Sequence, residues 1–422
     1  MSAPAEPPTP APRSPNWIAR AVLTAIAFVL LLPPSLPLAG AFAPALPLIG
    51  RFGRLVIEHL PLIGGLSLAA TALTAVALVL GGGRRTQALL VVAAVAVIGS
   101  TLIYGGLEGT AASDASSFSL LGQVFPRPRP AQQPNERVTF ATVDGQPLQA
   151  DVWWAYNLEP RPTPIPYGLV PADYGHAILF VHGGAFWGGG LDARPALLAA
   201  LSDDGYPVFD VEYRLEPPAR WDQAPGDVLC ALAWVESEAD HYGFDASKVV
   251  VIGESAGGNL ALMAAYAPGS AQTTVTSSCD RTPAPPASVI AISPTVDLAG
   301  IWADGTLVNG SDRFPEGYIG GTPSQFPDRY AAASPLGLVR PDVPPTLMLV
   351  ADNDSLVRPI RSTVLVDALR KAGADVTLIT IPFADHGFDG PPHAFGEQLE
   401  ESYFPLFISD PTALEGESAG SS

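Results

Sequence analysis

The feature that most limits how this chain can fold is the run Val249–Ala267, VVVIGESAGGNLALMAAYA. β-branched residues stop abruptly at Gly253, and an apolar helical pattern begins just after Ser255. A buried strand turning at once into a buried helix predicts a parallel sheet covered by helices, because parallel strands are joined by such crossovers. The glycines of G-E-S-A-G suit a strand-to-helix turn too tight for side chains at its flanks. Such a turn lifts the Ser255 hydroxyl clear of the backbone, beside the free N–H groups of a helix start. Taken alone the pattern is weak, and the alternative reading of the same serine is a helix cap.

The neighbouring pattern supports the sheet. RVTFATV, Asp144-Gly145 and LQADVWWA read as two β runs around a hairpin turn. HAILFV, YPVFDV, KVVVIG, SVIAIS, PTLMLVA and DVTLITI are short apolar runs, several separated by helical patterns such as VRPIRSTVLVDALRKAG. Strands apolar on both faces and alternating with helices give an α/β fold class, a mostly parallel sheet covered on both sides. Chemistry in such sheets gathers in loops beyond the carboxyl ends of the strands. No G-x-G-x-x-G follows a strand and no GK[ST] loop occurs, so nucleotide binding has no support. Only two cysteines, Cys230 and Cys279, are present, which excludes a disulfide scaffold and a Cys-rich zinc site. They read either as separate buried thiols or, in an oxidising compartment, as one bridge. Neither a cofactor nor a metal is expected.

Upstream the composition changes. Only 15% of the chain is charged, and three long stretches near residues 18–38, 61–80 and 88–106 are almost free of charge. About 20 apolar residues cross the hydrocarbon of a bilayer, so these predict three transmembrane helices, with LLPPSLPLAG bending or ending the first. Residues 1–106 are therefore expected as an integral membrane anchor, 107–135 as a Ser-, Gly- and Pro-rich linker, 136–408 as the catalytic domain and 409–422 as a disordered tail. Through Thr110 the chain holds six arginines and three glutamates, so the remainder carries about −22 of the net −19. That acidic bulk argues against nucleic acid as a partner. Placing Arg13, Arg20, Arg84 and Arg85 inside, against Arg51 and Arg54 outside, puts the catalytic domain on the extracytoplasmic side of a multi-pass protein. Intramembrane charge is scarce, which weighs against a transporter. Nothing in the sequence sets the oligomeric state.

A nucleophilic serine needs a base, and the base an acid to orient it. Of six histidines, His386 in FADHGFDG lies just beyond the last apolar run. Asp352 and Asp354 in LMLVADNDSLV lie beyond the run before it, so the order is serine, acid, histidine. VHGGAFWGGG, Val181–Gly190, brings small residues whose backbone N–H groups can approach a carbonyl oxygen, and Ala256 adds another N–H directly after the serine.

With these pieces in place, residues from about Glu136 to Phe407 resemble the α/β-hydrolase esterases of the hormone-sensitive-lipase-like group. The resemblance rests on HGGAFW, EYRLEPPARWDQAPGD, GESAGGNLA, PPTLMLVADNDSLV and DHGF. It implies Ser255 as nucleophile, Asp354 as acid and His386 as base, with an oxyanion hole from Gly184, Ala185 and Ala256 and with Gly183 shaping the turn. The chain departs from the group's pattern at Ala185, the third position of the usual HGGG, and at Arg358-Pro359, where an acidic pair often stands; its membrane spans are no part of the basic fold. Phe186 and Trp187 beside the loop either line the substrate pocket or wedge the loop, and Trp302 and Tyr318 in the inserted segment 301–333 either line that pocket or belong to the small apolar cluster of a surface loop. The expected function is a membrane-anchored carboxylesterase acting on a small-molecule acyl ester, short-chain or carbohydrate-borne esters ahead of long lipids. The alternatives are an amidase or arylformamidase on the same site and a catalytically silent binding module.

Overall fold

Asp144 and Gly145 both take left-handed backbone, with φ of 51° and 77°, in the computed structural model of the chain. That is the geometry of a tight hairpin, and it folds β1 (Glu136–Val143) back on β2 (Gln146–Trp153). β2 pairs antiparallel with β4 (Val208–Val211), and beyond it every pairing is parallel. The eight-stranded order is β1-β2-β4-β3-β5-β6-β7-β8, with β3 Ala177–Val181, β5 Val249–Glu254, β6 Ser288–Ile292, β7 Thr346–Ala351 and β8 Val376–Ile381. The structure describes residues 16–44, 46, 49–113, 133–155, 175–307, 310–390 and 395–414.

The strands lack polar alternation because β3, β4, β6 and β7 are buried along their whole length. Alternate residues serve opposite cores, as a pleated strand requires. Leu179, Val251, Val289 and Met348 face one, and Ile178, Val250, Ile290 and Leu347 the other.

Three long helices precede the sheet, α1 (Trp17–Phe42), α2 (Leu60–Val79) and α3 (Arg84–Ser113), with a short helical turn, Arg54–Glu58, before α2. Each is long and apolar enough to cross a membrane. Leu62, Leu68, Val79, Val91, Val95 and Leu102 all stand more than half exposed on their outer surfaces. α1 continues through Pro33, Pro34 and Pro37, and the Ser35 hydroxyl bonds to the Leu31 carbonyl. A neighbouring hydroxyl of this kind eases proline's disruption of the helix ladder.

In chain order follow α4 (Pro195–Asp203), α5 (Ala224–Ser237), α6 (Ala256–Tyr266), α7 (Leu298–Leu307), α8 (Arg313–Ile319), α9 (Pro327–Ala332), α10 (Pro359–Ala372) and α11 (Phe395–Ser409). α5, α6 and α10 cover the first core and α4 and α11 the second. Every residue of α6 is buried, which explains its small and apolar composition.

Two expectations are corrected. The linker does not begin at 107, because α3 runs on to Ser113: Leu107 and Ala111 are buried, and Tyr403 Oη of α11 donates to the Thr110 carbonyl at 3.2 Å. The tail is ordered through Leu414, whose side chain is buried, while 415–422 lie outside the described residues, as do 114–132 of the linker.

Cys230 of α5 and Cys279 are joined in a disulfide closing a 49-residue separation. Cross-linking a loop of that length restricts the unfolded chain by about 4 kcal/mol at most. Replacing both cysteines by alanine is expected to lower unfolding free energy by about 2–4 kcal/mol. Thermal unfolding with and without reductant checks this, and reductant should leave the double variant unchanged.

Candidate active site

Ser255 sits at the carboxyl end of β5 with φ 53° and ψ −113°, a conformation sparsely populated by residues other than glycine. Packing holds it there. A Cβ on Gly253 would lie 2.3 Å from the Gly257 carbonyl oxygen, and one on Gly257 2.1 Å from that of Val181. The Ser255 N–H donates to the Ile292 carbonyl at 2.8 Å, tying the corner to β6. A backbone held this way stores about 1–3 kcal/mol of strain, which the surrounding structure must offset.

The structure brings the three sequence-predicted residues together. His386 Nε2 lies 2.9 Å from Ser255 Oγ, and its Nδ1 lies 2.8 Å from Asp354 Oδ2. The other Asp354 oxygen accepts the N–H groups of Leu356 at 2.9 Å and Val357 at 2.7 Å, so the carboxylate is buried but satisfied. Asp352, the other acid in the loop, is exposed. Asp385 locks the two loops to each other: its Oδ1 accepts from Ser355 N at 2.7 Å and from His386 N at 2.8 Å.

Burial alone would depress the imidazole of His386. The Asp354 carboxylate, with Glu254 and Asp389 behind it, outweighs burial and raises it from 6.5 to about 9.

The glycine loop meets the serine from the other side. A Cβ on Gly183 would lie 3.4 Å from Ser255 Cβ, which measures how near the backbones pass. Gly184, Ala185 and Phe186 take φ of 124°, 54° and 68°, turning the loop back on itself. Among the described residues the N–H groups of Gly184, Ala185 and Ala256 make no backbone hydrogen bond outside regular elements, and Ala256 stands first in α6. His182, at the head of the loop, stacks on Tyr213 with ring centroids 4.5 Å apart and sets its Nδ1 2.8 Å from the Gly183 carbonyl.

The aromatic candidates divide. Phe186 and Tyr318 are buried and stacked, centroids 3.8 Å apart, so they form a wedge behind the loop. Trp302 is half-buried against the same core. Trp187 alone of the four stands open, at 63% exposure. The inserted segment is tied down by Arg361, whose Nε and Nη2 reach the two Asp304 oxygens at 2.9 and 3.0 Å, and by Arg358 at 3.3 Å. Arg358, which replaces an acidic residue in the resemblance, thus links α7 to the loop bearing Asp354.

Sequence reasoning missed Arg194. Its buried guanidinium reaches Glu254 at 3.1 Å, Glu400 at 2.6 Å and Asp389. Glu254 adjoins the serine, Asp389 follows His386 by three residues, and Glu400 belongs to α11. Burial holds both Glu254 and Glu400 above the ordinary carboxylate range despite the cation. The glutamate inside G-E-S-A-G was the signal available; its partner, 60 residues upstream, carries no local mark.

Among the described residues no group of three His, Cys, Asp or Glu is arranged to hold a metal ion. A hydroxyl facing an imidazole, which in turn faces a buried carboxylate, can add an oxygen nucleophile to a carbonyl.

Comparison with known proteins places the chain among esterases. Residues 171–369 match the BD-FAE family model. The chain is 32% identical over 231 residues to the ethyl acetate hydrolase of Pseudomonas putida, covering 52% of this chain and 67% of that protein. It is 26% identical over 246 residues to esterase LipC of Mycobacterium tuberculosis, covering 57% of this chain and 56% of that protein. The chain thus spans 67% and 56% of the length of these two curated relatives, and as little as 34% of others that it matches. The apo form of Thermogutta terrifontis esterase 2 superposes with a TM-score of 0.53 at 21% identity, covering 69% of this chain and 98% of that one, a likeness of fold alone. The strained serine corner, the parallel sheet and the related sequences lead to one conclusion: the chain belongs to the α/β-hydrolase esterases.

Proposed function

We propose that the protein is a membrane-anchored serine hydrolase that cleaves carboxylic esters through an acyl-enzyme. The observation that carries this reading is the relay of 2.9 and 2.8 Å from Ser255 through His386 to Asp354. In this reading Ser255 Oγ attacks the ester carbonyl as His386 Nε2 takes its proton. Asp354 holds the imidazole tautomer and stabilises the imidazolium. The N–H groups of Gly184, Ala185 and Ala256 receive the developing oxyanion, with Gly183 letting the backbone approach. His386 then returns the proton to the leaving alcohol, and water, activated by the same imidazole, releases the acid.

The apolar outer faces of α1–α3 support an integral anchor. Arg20 donates to the Gly81 carbonyl at 2.6 Å, so the start of α1 lies beside the α2–α3 turn, which leads directly into Arg84 and Arg85 at the start of α3. The catalytic domain packs at the opposite ends of α1 and α3, which together with the disulfide supports an extracytoplasmic site. An alkaline phosphatase reporter fused after Ser113 is expected to be active; an inactive one would reverse the orientation.

The reaction is tested with p-nitrophenyl acetate and the matched p-nitroacetanilide on the full-length protein. The ester is expected to turn over at least about 100-fold faster, with an initial burst of nitrophenol when deacylation is the slower step. Comparable rates on both would favour an amidase. Since only neutral His386 is a base, activity should rise with pH through its raised pKa, about 9, and fall below it. Asp389→Asn removes one of the charges that raise it and should move this limb to lower pH by about half a unit to one unit. An unmoved limb would show that the imidazole does not sense that carboxylate.

A further inference from the structure

The membrane helices end on the loops that carry the acid and the base. The Phe42 ring, the last residue of α1, packs edge-on against Phe383 with centroids 5.5 Å apart. A Cβ on Gly106 of α3 would lie 3.1 Å from Phe383 Cε2, so the ring is held between the two helices. Phe383 itself takes a left-handed φ of 63°. Asn353, next to Asp354, reaches the Ala41 carbonyl with Nδ2 at 3.4 Å and donates its backbone N–H to Ala384 at 2.9 Å.

Helix length turns this joint into a depth. On α3, Arg85 and Glu108 bracket 22 uncharged residues, which rise about 33 Å. On α1, Phe42 follows Arg20 by 22 positions, again about 33 Å. The hydrocarbon of a bilayer is about 30 Å thick. With the arginines at one surface, Gly106 and Phe42 come to the other. Phe383 touches both, and His386 follows it by three residues, about 10 Å of chain at most. A head-group layer measures about 5–7 Å on each side. The backbone of His386 therefore lies no more than about 10 Å from that of Phe383, within that layer or a few ångström beyond it. Trp187, exposed beside the oxyanion loop, is the residue type that favours such an interface.

We propose that the substrate is an acyl ester borne by a membrane amphiphile, its scissile bond presented at the outer edge of the head-group layer. This rests on the serine-esterase reading. A soluble ester gains nothing from a site at that depth, whereas an ester confined to the surface meets it at high effective concentration.

The test uses the full-length protein in phosphatidylcholine vesicles with one reporter, umbelliferyl acetate, in three forms. One is free, one is coupled to a phosphatidylethanolamine head group by a tether of about 10 Å, and one by a tether of about 40 Å. The short-tether ester is expected to be cleaved as fast as the long-tether ester within threefold, and both about tenfold or more faster than the free ester at equal bulk concentration. Sparing of the short-tether ester while the long and free forms are cleaved would overturn the proposal and leave the esterase reading intact. So would tethered esters cleaved no faster than the free one. If none is cleaved and Ser255 is not labelled by a fluorophosphonate, the esterase reading falls with it.

Discussion

Replacing Ser255 with alanine is expected to lower kcat on p-nitrophenyl acetate by about 10⁴- to 10⁶-fold with little change in KM. In the proposed mechanism this hydroxyl forms the acyl bond, while the proposed oxyanion donors and the binding surfaces survive its loss and leave a small residual rate. Stability should barely move, because the strained corner at φ 53° is imposed by Gly253 and Gly257 and not by the serine side chain. Asp354→Asn is expected to cost about 10⁴-fold, since it cannot hold the imidazole in the tautomer that faces Ser255. Steady-state kinetics beside thermal unfolding separate the two cases from misfolding. A Ser255→Ala protein retaining a tenth of the activity would mean that another group attacks the ester.

The second large effect is expected at Arg194. Replacing it with methionine leaves Glu254, Asp389 and Glu400 facing one another in a buried site with no cation. Removing one partner of a buried ionic network typically costs about 3–5 kcal/mol, because the remaining charge stays desolvated. Two of these carboxyls already sit above their ordinary range by burial, so they would take up protons instead of unfolding the domain outright. Denaturant unfolding should therefore show a loss of about 3–5 kcal/mol that is smaller at pH 5 than at pH 8. The sign follows from linkage: without Arg194 the folded protein binds protons that the unfolded chain does not, and such a difference favours the folded state as pH falls. Glu400→Gln in the same background is expected to recover part of the loss, because an amide removes one buried charge. A pH-independent loss, or no rescue, would show that Arg194 acts by packing alone.

The reach of sequence reasoning follows the distance over which each signal acts. Asp144-Gly145 encodes its turn in two residues, and G-E-S-A-G its corner in five, so both were legible. His386 and the pair Asp352 and Asp354 were legible because they follow apolar runs that become β8 and β7, and the carboxyl ends of parallel strands gather at one edge; the choice of Asp354 came from the family resemblance. Arg194 was not: its partners lie as far as 206 residues away, and nothing near 194 hints at a buried cation. Cys230 and Cys279 were left open for the same reason, one in a helix and one in a loop. The extension of α3 past 106 was hidden because GLEGTAAS has two glycines and little apolar character; its helix is stabilised by α11, which the sequence places some 300 residues later. For Phe186 and Tyr318 the sequence left a pocket role and a packing role open, because nothing local shows that the insertion stacks one ring on the other.

A fluorophosphonate probe reacts with a serine only when a base has activated it. Incubating the full-length protein with such a probe, digesting it and weighing the peptide containing Gly253–Gly257 tests the central claim directly. One adduct per chain, on Ser255 and absent from His386→Ala, is the result expected. Continued ester hydrolysis by protein whose Ser255 peptide keeps its unmodified mass would contradict it.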